Sequence, residues 1–148
     1  MNSWIYGAIA LLAGASLAVQ VGVNNGLKTK LEQPIAASIT SFATGTLALI
    51  LYGLLSRSPW PSASLWKGGP WWIWLGGSFG AVYIVMTVTF SPKLGAAGWV
   101  GVVVTGQILT SVILDHFGLV GFSPHSISWT RVGGVALLLA GAALVLRS

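Results

Sequence analysis

Five long apolar segments occupy most of this 148-residue chain, and they limit its possible folds more than any other feature. Lys, Arg, Asp and Glu make up only 6% of the residues, whereas a soluble domain carries about a quarter. Such a chain lacks the surface charge that keeps a protein of this size in water. We therefore expect the lipid bilayer to be its solvent.

Each apolar segment is close to the ~20 residues with which a helix crosses a ~30 Å hydrocarbon core. Backbone groups inside lipid must pair within their own segment, so we predict an all-α integral membrane protein with five transmembrane helices. They form one domain over residues 1–148, with spans at 4–27, 34–55, 71–90, 94–114 and 130–146. Most of the tryptophans fall at span ends, where they are typical of the membrane interface.

Several classes of function are excluded by composition. The chain has no cysteine and no metal-ligand spacing, so no metal site is expected. Its seven basic residues are scattered, which is unlike the basic patch of a nucleic-acid-binding protein. No Ser–His–Asp set and no phosphate-binding loop is present, so we expect neither an enzyme nor a bound cofactor.

The basic residues divide almost evenly between the two sides of the predicted membrane domain. Five spans place three on the side of the N-terminus (Arg57, Lys67 and Arg131) and four on the other side (Lys28, Lys30, Lys93 and Arg147). Because an excess of Lys and Arg marks the cytoplasmic side, this balance predicts insertion in both orientations. Two inverted copies would then pair as a ten-helix antiparallel homodimer, which resembles the inverted repeats of transporters. Alternatively, Lys28 and Lys30 alone decide one orientation.

Polar residues inside the spans are the candidate site. Gln20 and Asn24 are four residues apart and share one face of the first span, and Gln107 and Ser111 share a face of the fourth. An amide in hydrocarbon without a partner costs several kcal/mol, so these side chains must face protein or a cavity. Two interpretations remain: hydrogen bonds that hold helices together, or the lining of a solute-binding cavity.

The only carboxylates are Glu32, in the first loop, and Asp115, at the end of the fourth span. No charged side chain lies in the middle of a span, which disfavours both a proton/cation antiport site and a strongly charged anion site. Amides and hydroxyls suit a neutral or amphipathic small solute. We expect Asp115 and His116 at the rim or gate of the cavity, with Trp99, which lies inside a span.

Several motifs carry a resemblance to one family. They are Gln20-x-x-x-Asn24, Pro34 with Ala36-Ala37, Gly76-Gly77-x-x-Gly80-Ala81, Gly106-Gln107, and Asp115-His116-Phe117-Gly118-Leu119. Together they resemble the bacterial YdcZ-type family of the drug/metabolite transporter superfamily, which is related to the small multidrug resistance exporters. The resemblance implies a small inner-membrane exporter whose short chains pair antiparallel. Those exporters carry a glutamate in the first helix, and residues 9–14 here contain none.

The sequence therefore predicts a half-transporter for a small neutral or amphipathic solute, working as a dual-topology homodimer. Gln20, Asn24, Gln107 and Ser111 are the expected solute-binding residues. Two alternatives remain open at this point: a passive dual-topology channel, and a membrane subunit that transports nothing and uses its amides only for packing.

Overall fold

The computed structural model describes residues 3–147, and its regular elements are helical. The four α-helices are α1 (Ser3–Leu31), α2 (Pro34–Leu55), α3 (Gly76–Phe117) and α4 (Trp129–Arg147). Two short 3₁₀ turns, Ala63–Trp66 and Trp71–Leu75, lie between α2 and α3. The described residues thus hold four helical stretches that are long and apolar enough to cross a membrane, the third of which is Trp71–Phe117.

Only Glu32 and Gln33 separate α1 from α2. Glu32 has a left-handed backbone with φ 57°, and Gln33 is extended, with φ −137° and ψ 116°. The extended form follows from Pro34, because the proline ring disfavours helical geometry in the residue before it. Pro34 then occupies the first turn of α2, where its missing N–H costs nothing. This short connection brings α2 back along α1, and the two helices pack together.

Helix α3 is 42 residues long, but its geometry is broken at Gly95. Gly95 has φ 72° and ψ 162°, a backbone conformation that is essentially restricted to glycine. The parts of α3 before and after Gly95 are each helical. The sequence predicted that the third span ends at Ser91-Pro92, whereas the helix passes through Pro92 and breaks three residues later. Proline keeps a helical φ, but Pro92 has no N–H to donate to the carbonyl of Val88, so it weakens the helix just before the break at Gly95.

The surface of the helices is mainly apolar. Leu11, Leu12 and Leu137 each remain more than 70% exposed. Large exposed apolar areas on a folded chain indicate contact with lipid or with another protein. Helix length and surface chemistry thus fit a multi-pass membrane protein.

The chain divides into two compact units, with the boundary between Thr89 and Phe90. In the first unit, α2 meets α3 where Phe42 lies over Gly80; a Cβ added to this glycine would be 3.1 Å from the Phe42 ring. In the second unit, α3 meets α4 in the same way. A Cβ at Gly98 would be 3.1 Å from Cδ2 of Leu146. Small residues therefore set the helix spacing in both units.

The contact at Gly98 gives a direct test of the packing in the second unit. Gly98→Leu should force α3 away from Leu146 and lower the free energy of unfolding by about 1–3 kcal/mol. Gly106→Leu is the matched control, because a Cβ there meets nothing within 4 Å. Thermal unfolding in detergent measures both variants. Equal stability of the two would show that the contact is not close in the membrane protein.

Candidate functional site

In the first unit, a groove between α1 and α2 has a volume of about 780 Å³. Helix α1 contributes Gln20 and Asn24, whose four-residue spacing places them on the same face. Helix α2 contributes three hydroxyl side chains, Thr40, Ser41 and Thr44. The groove has the size of a small-molecule site and combines apolar walls with a few polar groups.

Asn24 is the most unusual residue of this groove. The residue is only 3% exposed, and no hydrogen bond to its side-chain amide is found among residues 3–147; the amide is not one of the fully buried unpaired atoms, so part of it remains accessible. It also lines a second cavity of about 140 Å³, together with Gln20, Tyr83 and Thr87. A buried polar group without a partner costs about 1–3 kcal/mol, so such groups normally bind water or a ligand. The amide is thus available to a molecule that enters the groove.

The hydroxyls of α2 have a different character. Thr40 donates its hydrogen to the carbonyl of Ala36 at 2.8 Å, and Thr44 donates to carbonyls of its own helix at 2.9 and 3.0 Å. Because the hydroxyl hydrogens of Thr40 and Thr44 are already donated, these two groups can offer a solute only their oxygens, as acceptors. The Ser41 hydroxyl is half-buried and has no partner among the described side chains and backbone. The groove thus offers amide donors on α1 and hydroxyl acceptors on α2.

Gln20 lies at the junction of three cavities. It lines the main groove, the smaller cavity beside Asn24, and a third cavity of about 500 Å³ with Phe42 and Gly77. Its side chain is exposed. A long, flexible amide in this position can bind a solute in more than one of these cavities.

The other two residues predicted to bind solute belong to the second unit. Gln107 and Ser111 are both exposed on the part of α3 that follows Gly95. Nearby, Thr105 is buried and donates its hydroxyl hydrogen to the carbonyl of Gly101 at 2.7 Å. The structure thus brings Gln20 and Asn24 together in one groove and places Gln107 and Ser111 on the surface of the second unit.

The predicted rim residues hold the connection between α3 and α4. The Asp115 carboxylate accepts a hydrogen bond from the Arg131 guanidinium at 3.2 Å, and the Asp115 carbonyl accepts one from the His125 backbone N–H at 2.7 Å. His116 Nδ1 accepts a longer bond from the Ile127 N–H at 3.4 Å. Asp115 and His116 therefore order residues 118–128, and their role as a gate remains a prediction.

Trp99 is half-buried in the second unit. Its indole N–H has no hydrogen-bond partner, and it is the one fully buried polar side-chain atom in the described part of the chain that lacks one. Tryptophan N–H groups usually find a partner when buried. Trp99 therefore has a donor free for another partner, and its place at the rim or gate remains a prediction.

Sequence reasoning gave too little weight to the hydroxyls of α2. Thr40, Ser41, Thr44 and Gly45 all line the groove. The available signal was their spacing, because residues i, i+1, i+4 and i+5 form one stripe of small and polar groups. Lys30, at the end of α1, also lines the groove and was assigned only to membrane orientation.

Comparisons with known proteins give one family. Curated proteins and solved structures yield no match. The family model described as "Putative inner membrane exporter, YdcZ" matches residues 5–144, almost the whole chain. This description names a transporter class rather than an enzyme class, and it agrees with the apolar helices. The chain therefore belongs to the YdcZ family of inner-membrane exporters.

Proposed function

We propose that this protein exports a neutral or amphipathic small solute and that the groove between α1 and α2 is its binding site. The observation that carries the proposal is Asn24, a buried amide without a partner that opens on a groove of about 780 Å³. An amide used only for packing would be hydrogen-bonded to another helix. Gln20 and the Ser41 hydroxyl supply further unpaired polar groups in the same groove.

The proposed transporter has five spans in each chain. Helix α3, at 42 residues, would extend about 63 Å, roughly twice the ~30 Å hydrocarbon core. The break at Gly95 lies close to its middle. Each half of α3 is then about long enough for one crossing, which supports the count of five. Five spans would put the termini on opposite sides.

The proposed assembly is an antiparallel homodimer. The groove of one chain is open along one side, as expected for one half of a site that a second copy completes. Inverted-repeat transporters place their substrate at the interface of two such halves and move one against the other. Gln107 and Ser111 would complete the polar lining, and Asp115, His116 and Trp99 would form its rim. Alternating access would come from rocking of the two copies.

A flux experiment tests the proposed function. The purified chain is reconstituted in liposomes, and uptake of a panel of labelled polar and amphipathic solutes is measured against increasing solute concentration. A carrier gives a rate that saturates and that unlabelled competitors reduce. Single-channel currents would instead show a passive pore. Uptake equal to that of empty liposomes for every solute would contradict transport.

The orientation of the chain gives a separate prediction. C-terminal fusions to a reporter active in the cytoplasm and to one active in the periplasm should both give signals, because the basic residues are split three to four. Adding two lysines next to Arg147 should shift the signal strongly to the cytoplasmic reporter. A signal from only one reporter in the unaltered chain would contradict dual insertion.

A further inference from the structure

The groove between α1 and α2 has one charged residue among the described side chains that line it, Lys30. Lys30 lies in the last turn of α1, at the end of the helix where Gln33 and Pro34 begin the return. No carboxylate lines the groove. No ion pair to Lys30 is found within residues 3–147. Its ammonium is thus a positive charge without an ion pair at one end of the groove; Glu32 follows two residues later but does not line the groove.

The amides lie at a defined distance from this charge. Asn24 precedes Lys30 by six residues, which corresponds to about 9 Å along the helix axis. Between them, Gly26 and Leu27 line the same groove. The groove therefore presents a hydrogen-bonding end, an apolar middle and a cationic end. This order is set by one face of α1, because these residues follow one another at spacings of three and four.

Local helix dipoles do not cancel the charge of Lys30. The carbonyl end of α1 carries partial negative charge, which opposes an anion. Helix α2 begins only two residues later, and its amino end carries the opposite partial charge. The two contributions offset each other, so the full positive charge of Lys30 decides the preference for an anion.

We propose that the solute is an amphipathic carboxylate, with its acid group at Lys30, its hydrocarbon part along Leu27, and a hydrogen-bonding group at Asn24 and Gln20. This inference rests on the proposed function and defines the class of substrate. The ordinary role of a lysine at a helix end is to set orientation and bind lipid headgroups. Lys28 is as well placed as Lys30 to set orientation and bind headgroups, but it does not line the groove.

Lys28 therefore provides a matched control, since Lys28→Gln and Lys30→Gln remove the same charge from the same helix end. Binding is measured with the full chain in phosphatidylcholine nanodiscs, using ω-hydroxyoctanoate and its neutral amide, ω-hydroxyoctanamide, as probes. The unaltered chain and Lys28→Gln should bind the carboxylate about fivefold more tightly than the amide at low salt. Lys30→Gln should bind the two probes equally, and rising salt should reduce the preference.

Three outcomes would overturn the inference. Equal binding of both probes to the unaltered chain would leave the proposed exporter intact but exclude a carboxylate site. An equal loss of preference in Lys28→Gln and Lys30→Gln would show a general surface effect. Displacement of ω-hydroxyoctanoate by added phosphatidylglycerol would show that Lys30 binds an anionic lipid. If neutral solutes show saturable flux but neither probe shows saturable binding, the proposed exporter stands and the carboxylate substrate is wrong.

Discussion

Asn24→Leu should reduce saturable solute uptake by about tenfold or more while leaving the fold intact. The buried Asn24 amide has no partner among the described residues, so a bound solute would supply its hydrogen bonds. Losing such bonds costs about 1–3 kcal/mol, which corresponds to a fivefold to hundredfold loss of affinity. Initial rates in liposomes at a solute concentration below half-saturation measure this loss.

The same substitution separates a binding site from a packing contact. Leucine is similar in size to asparagine, and an apolar side chain avoids burial of an unpaired amide. The free energy of unfolding should therefore stay the same or rise by about 1 kcal/mol. Thr29→Val is the control, because Thr29 lies on α1 outside the groove and bonds to the Asn25 carbonyl. Normal uptake by a destabilised Asn24→Leu variant would identify the amide as a structural contact.

Gly95→Ala should have the second largest effect. Gly95 has φ 72° and ψ 162°, where a residue with a side chain is strained by about 1–3 kcal/mol. A Cβ at this position would meet nothing within 4 Å, so the variant tests backbone strain without a steric clash. We expect lower thermal stability.

Gly106→Ala is the matched control for this prediction. Gly106 lies on the same helix with helical geometry, and a Cβ there also meets nothing within 4 Å. Alanine favours a helix over glycine by up to about 1 kcal/mol, so this variant should be as stable as the unaltered chain or more stable. If Gly95→Ala behaves like Gly106→Ala, then the break in α3 is not required.

Much of the helical structure was predictable because apolar segments and helix breakers determine it locally. Helix α2 has the predicted bounds, since Pro34 marks its start and a polar loop follows Leu55. Helix α1 continues to Leu31, one turn past the predicted end, because no breaker precedes Gln33 and Pro34. The break at Gly95 was misplaced by three residues. Sequence alone marks Pro92 as the stronger breaker, whereas the helix passes through it and breaks at Gly95, where the backbone conformation is essentially restricted to glycine.

The site was predictable only where one helix determines it. Gln20 and Asn24 share a face of α1 by spacing alone, whereas the hydroxyls of α2 join them through tertiary packing. The same limit applies to Asp115. Its ion pair with Arg131 spans 16 residues, which no local pattern shows. Packing between helices therefore supplied the information that periodicity lacked.

The groove itself can be probed because the chain contains no natural cysteine. Single cysteines are introduced at Ser16 and Thr44, which line the groove, and at Leu11, which is 77% exposed on another face of α1. The measurement is the rate of labelling by a membrane-impermeant maleimide in intact membranes. A solute groove open to water predicts fast labelling at Ser16→Cys and Thr44→Cys and slow labelling at Leu11→Cys, which faces lipid. Equally slow labelling at all three positions would contradict a water-filled groove between α1 and α2.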